Sequence, residues 1–75
     1  MISSSEVEVM IRKALPGSKV SVADSTGTGD HFDVLVESAL FHGRSLIEQH
    51  QLVHAALAPE MDKRIHAVRI KTRVV

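Results

Sequence analysis

The sequence predicts an α+β fold in the order α-β-β-α-α-β, a three-stranded mixed sheet carrying its helices on one face. Two Ser-x-x-Glu capping boxes, Ser3 with Glu6 and Ser45 with Glu48, each open a run of apolar residues at helical spacing. Three other stretches alternate apolar and polar side chains with the two-residue period of a strand. Glycine or proline punctuates each junction, at Pro16-Gly17, Gly27 and Gly29, Gly43, and Pro59.

In chain order, Val7, Met10, Ile11, Ala14 and Leu15 trace one stripe that Pro16-Gly17 ends, which places the first helix at residues 4–15. Lys19–Asp24 alternates with Val20 and Val22 inward. His31–Ser38 does the same with Phe32, Val34 and Val36 inward and Asp33 and Glu37 outward, so the two stretches are expected to pair as a hairpin. The connection at residues 25–30, S-T-G-T-G-D, is too long for a two-residue turn and reads as a mobile loop with His31 at its exit. It looks like a phosphate loop only superficially, because it joins two strands and contains no lysine.

Gly43 supplies the turn before the second helix, Ser45 caps it, and Phe41 is expected in the core. Leu46, Ile47, Val53 and Leu57 set its apolar stripe, and His50 and His54 fall in the same stripe. His50 reads as a core histidine with a backbone partner and His54 as a helix-edge residue. The alternative is an H-x-x-x-H metal pair one turn apart, but the glutamate of a zinc-protease motif is missing and Gln51 holds its place. Residues 59–63 allow a short helical turn. Residues 65–75 alternate again, with His66, Val68, Ile70, Thr72 and Val74 on one parity and Ala67, Arg69, Lys71 and Arg73 on the other. A right-handed connection through the helices makes this strand parallel to the second.

The 75 residues are expected to form one domain, 1–75, with a small aliphatic core, since only Phe32 and Phe41 are aromatic. Net charge is zero but polarised: all nine acids lie at or before Asp62, and the stretch after it carries Lys63, Arg64, Arg69, Lys71 and Arg73 with no acid. That basic stretch reads as a solvated strand face, a guarded sheet edge, or a docking surface for a partner or nucleic acid. With no cysteine the chain has no disulfide, thiol nucleophile or thiolate metal site of its own. No apolar run approaches the ~20 residues of a membrane span, and no basic and apolar leader opens the chain, so a cytoplasmic location is expected.

Gly29-Asp30-His31-Phe32-Asp33-Val34, Phe41-x-Gly43-x-Ser45, His50-Gln51-Leu52-Val53 and Ile65-His66-Ala67-Val68 occur in that order and spacing. On these motifs the whole chain resembles the BolA family, in the subgroup with histidine in the hairpin loop, whose fold is like a type II KH domain. Glu48-Gln49 ahead of His50 departs from the family's usual arginine, and His42 from its frequent acid.

The resemblance implies a non-enzymatic partner of monothiol glutaredoxins in iron–sulfur trafficking or iron sensing. It makes His31 and His66 the metal ligands. A [2Fe–2S] cluster would be shared with the partner's cysteine and its glutathione, none being expected on the isolated chain, which is read as a monomer or weak dimer. Two imidazoles on one iron with thiolates on the other is a workable set, as in Rieske centres.

Nucleic-acid binding by a KH-like transcriptional regulator is the main alternative. Against it, the helix junction Leu57-Ala58-Pro59-Glu60 lacks the G-x-x-G of a KH clamp and carries an acid. Catalysis is disfavoured because Ser45 is committed as a cap and no carboxylate is spaced beside His50 or His54.

Overall fold

A computed structural model describes residues 1–75. Its elements are α1 (Ser4–Ala14), β1 (Lys19–Asp24), β2 (His31–Ser38), α2 (Leu46–Leu57) and β3 (Ala67–Val74), with 3₁₀ turns at Ala39–Phe41 and Ala58–Glu60. The sheet order is β1-β2-β3. β1 and β2 are antiparallel, with Val20 opposite Val36 and Asp24 opposite Phe32. β2 and β3 are parallel, with His31 opposite Ala67 and Val34 opposite Ile70. The expected α+β arrangement with a mixed sheet is present; the second of the two central helices is only a 3₁₀ turn, as proline at its start allows.

α2 starts with the full capping box expected, whereas at α1 only half of the box forms, the Glu6 carboxylate accepting the Ser3 hydroxyl and not its N–H. Ser3 Oγ accepts the Glu6 N–H at 3.1 Å. Ser45 Oγ accepts the Glu48 N–H at 3.2 Å while Glu48 Oε1 accepts the Ser45 N–H at 2.9 Å. Gly43, at φ +75°, occupies the left-handed region that only glycine enters freely.

The core lies between the sheet and the two helices. Val7 and Ile11 of α1 meet Phe32, Val34 and Val36 of β2, and Val53 and Leu57 of α2 close it with Phe41 and Ile65. Ala14, placed by periodicity on the α1 stripe, is exposed, because the helix ends there and Leu15 turns inward alone.

The buried face of α2 is rotated from the expected one. Leu46 and Ile47 are 63% and 71% exposed, and Gln49, Val53 and Leu57 face inward. His50 is half-buried and so is not the core histidine expected, whereas His54 is exposed, in keeping with its expected place at the helix edge. Gln49 takes the inward polar position instead: its Nε2 donates to the Arg44 carbonyl at 3.0 Å, and its Oε1 accepts the Thr72 hydroxyl of β3. No helix is long and apolar enough to cross a membrane.

Candidate metal centre

The loop between β1 and β2 is built around Asp24. One carboxylate oxygen accepts the N–H groups of Thr26 and Gly27, and the other accepts that of Gly29 at 2.8 Å. A single acid at the end of β1 thus ties three backbone donors of the loop, as aspartate does in turns. Gly29 has φ +74°, and its carbonyl accepts the Ile2 N–H at 3.0 Å, so the residues before α1 brace the same loop.

This braced loop delivers Asp30 and His31 to the sheet end. Asp30 Oδ1 accepts the Thr28 hydroxyl and lies 2.8 Å from His31 Nδ1. The Thr28 hydroxyl, and after it the His31 ring, hold the Asp30 carboxyl below its ordinary value. The Asp30 carbonyl in turn accepts the N–H of His66 at 2.8 Å and of Ala67 at 3.2 Å.

His66 arrives from the other end of the chain. Asp62, at φ 63°, reverses the backbone after the 3₁₀ turn, and buried Ile65 anchors the segment before β3. His66 was expected at the start of the last strand on its apolar side; it lies one residue before β3 begins and is exposed, its N–H taken by the Asp30 carbonyl.

The rings of His31 and His66 then stand 6.0 Å apart between centroids, tilted by 39°. Two imidazoles bound to one metal at about 2.1 Å have ring centres roughly 5 Å apart, about 1 Å closer than these two rings stand. The donor set fits the imidazole half of a mixed-ligand site. No group of three His, Cys, Asp or Glu side chains could hold a metal unaided. A cleft of about 360 Å³ beside the pair is lined in part by Ser25, His31, Ala67 and Arg69.

The basic residues divide. Arg64 is held by Glu60 and by Glu6, whose Oε2 is 3.2 Å from Nη1, so its guanidinium staples the 3₁₀ turn to α1 and is not free for a partner. The same pairing pulls the Glu60 carboxyl down. Arg69, Lys71 and Arg73 line the sheet face opposite the helices. There the parallel register sets Asp33 3.7 Å from Arg69 and Glu37 3.9 Å from Arg73. The face is therefore less basic than the β3 sequence alone suggests. Lys63 and Lys71 are exposed and form no ion pair.

Among the expected site residues, His31 and His66 come together; His50, in α2, is not part of this pair. Sequence reading missed Asp30. Its signal was an acid immediately before a loop-exit histidine.

The family model for BolA-like proteins matches residues 4–75. The chain is 39% identical over 71 residues to an uncharacterized protein of Rickettsia prowazekii, covering 95% of this chain and 92% of that one. It is 42% identical over 72 residues to the protein BOLA2 of Arabidopsis thaliana, covering 95% of this chain and 76% of that one. Among solved structures, a bol-like protein from Babesia bovis superposes with a TM-score of 0.85 at 33% identity, over 99% of this chain and 86% of that one.

Proposed function

The chain belongs to the BolA family, and from that premise we propose that it is a non-enzymatic cytoplasmic adaptor. It binds a monothiol glutaredoxin and shares or receives a [2Fe–2S] cluster through His31 and His66, in trafficking or in iron sensing. The observation that carries this reading is the 6.0 Å approach of two histidine rings at an exposed sheet end in a chain without cysteine. Two imidazoles cannot complete a cluster, so the thiolates must come from outside, from the glutaredoxin and its glutathione. The absence of cysteine makes the partner a chemical requirement. Lys71 and Lys63, free of acid partners, are the basic residues best placed for docking contacts.

The test is visible absorption and circular dichroism on adding the protein to a glutathione-bridged, [2Fe–2S]-loaded monothiol glutaredoxin. The cluster spectrum should shift with wild type and fail to shift with His66→Ala. No shift at any ratio would overturn the reading.

Nucleic-acid binding keeps one support, the row Arg69, Lys71 and Arg73 on the uncovered sheet face. Two of these three face acids, and Phe32 and Phe41 are both buried, which leaves no phenyl ring on the surface on which a base can stack. Binding through this row would be weak and strongly salt-dependent. A sub-micromolar, sequence-selective complex at physiological salt would reverse the order of the two readings.

A further inference from the structure

Asp30 touches both histidines by different atoms. Its carboxylate faces His31 Nδ1 at 2.8 Å, and its backbone carbonyl accepts the His66 N–H at the same distance. His31 Nε2 takes part in no hydrogen bond, and the His31 side chain is 41% exposed. Neutral imidazole has one N–H and one lone pair, and the position of the proton decides which nitrogen can bind a metal. Histidine ligands commonly donate their second nitrogen to a carboxylate, which fixes the tautomer and strengthens the donor.

We propose that Asp30 is the positioning residue of the metal pair: its carboxylate holds His31 as the Nδ1–H tautomer, leaving the Nε2 lone pair as the ring's only metal donor, while its carbonyl registers His66 alongside. The Thr28 hydroxyl, bonded to the same carboxylate oxygen, keeps that oxygen aimed at the ring. This rests on the ligand reading of His31, but it makes a claim about the metal-free protein that can be checked without iron.

Long-range ¹H–¹⁵N correlation spectra of the metal-free protein, taken where histidine is neutral, report the tautomer of each ring directly. His31 should show Nδ1 protonated and Nε2 bare, unlike exposed His54, which serves as the reference. Asp30→Ala should return His31 to the pattern of the reference ring. Asp30→Asn should keep the Nδ1–H form, because an amide oxygen still accepts that proton, while removing the negative charge. Both variants retain the backbone carbonyl, and far-UV circular dichroism checks their fold. A wild-type His31 protonated on Nε2 overturns the proposal.

In cluster titration from the loaded glutaredoxin, Asp30→Ala should weaken binding by about 10- to 100-fold, the usual effect of removing such a carboxylate, with Asp30→Asn intermediate. His31→Ala, run in parallel, separates the two claims. If it abolishes the cluster spectrum and Asp30→Ala does not weaken binding, the positioning role falls and the ligand reading stands. If His31→Ala changes nothing, the ligand reading falls, and Asp30 loses its metal-directed role with it.

Discussion

The carbonyl oxygen of Asp30 accepts the backbone N–H of His66 at 2.8 Å, joining the end of the hairpin loop to the residue that precedes β3. His66 enters this contact through its main chain alone, and its side chain is exposed. His66→Ala is therefore expected to change stability by no more than about 0.5 kcal/mol in urea denaturation, while abolishing the shared-cluster spectrum. A variant that unfolds would give His66 a structural role instead.

Gln49 makes a contrasting prediction. Its buried amide satisfies the Arg44 carbonyl before α2 and the Thr72 hydroxyl in β3. Gln49→Ala strands both partners and should cost about 1–3 kcal/mol. Gln51→Ala, at an exposed site on the same helix, should cost no more than about 0.5 kcal/mol. Equal urea midpoints for the two variants would refute the inward role of Gln49.

At Gly43 a Cβ would meet nothing within 4 Å, so the cost of a side chain there is backbone strain at φ +75° and not a clash. Gly43→Val is expected to destabilise by about 1–2 kcal/mol or more, and Gly43→Asn by distinctly less, since asparagine tolerates the left-handed region. Chemical denaturation of the pair distinguishes strain from crowding, which would penalise both.

The capping box of α2 should give stability an acid limb. The backbone N–H and then the hydroxyl of Ser45 hold the Glu48 carboxyl below its ordinary 4.5. A carboxyl with a lower pKa folded than unfolded binds fewer protons in the folded state. Its contribution is full above 4.5 and disappears as pH falls through the folded value. The stability difference between wild type and Glu48→Gln should then be constant at neutral pH and shrink below 4.5, as followed by denaturation at a series of pH values. A difference that grows on acidification would contradict the cap.

Much of this fold is legible in residue order because alternation and capping are local. The expected bounds of β1 and β2 coincide with those observed, and Ser45 starts α2 where its capping box places it. The inward face of α2 was legible only in its second half, where Val53 and Leu57 are buried as expected. Leu46 and Ile47 suggested one stripe, but they lie in the first turn and are exposed, and the burial begins at a polar residue, Gln49. Hydrophobic periodicity cannot flag a glutamine whose partners, Arg44 and Thr72, come from before the helix and from a distant strand. The same limit applies to the histidine pair. His31 and His66 could be suggested by resemblance, but their 6.0 Å approach depends on the parallel register of β2 and β3 and on a carbonyl contact that no spacing encodes. The acids that face the basic row of β3, Asp33 and Glu37, escape a reading of that strand for a related reason, since they belong to its neighbour.

That parallel register also imposes a timetable. The contacts within the β1–β2 hairpin and within α2 join residues that lie close together in the chain. β3 is the last strand in the order, and it reaches β2 only after the whole intervening helix has been made. Non-local pairing of this kind forms late, because a long loop must close before any contact rewards it. A partly synthesised chain thus exposes His31 as a solitary imidazole, with Asp30 already beside it in sequence but no second ring across from it. A molecule that stops before residue 66, unfinished or C-terminally clipped, therefore lacks the paired rings at this sheet end altogether.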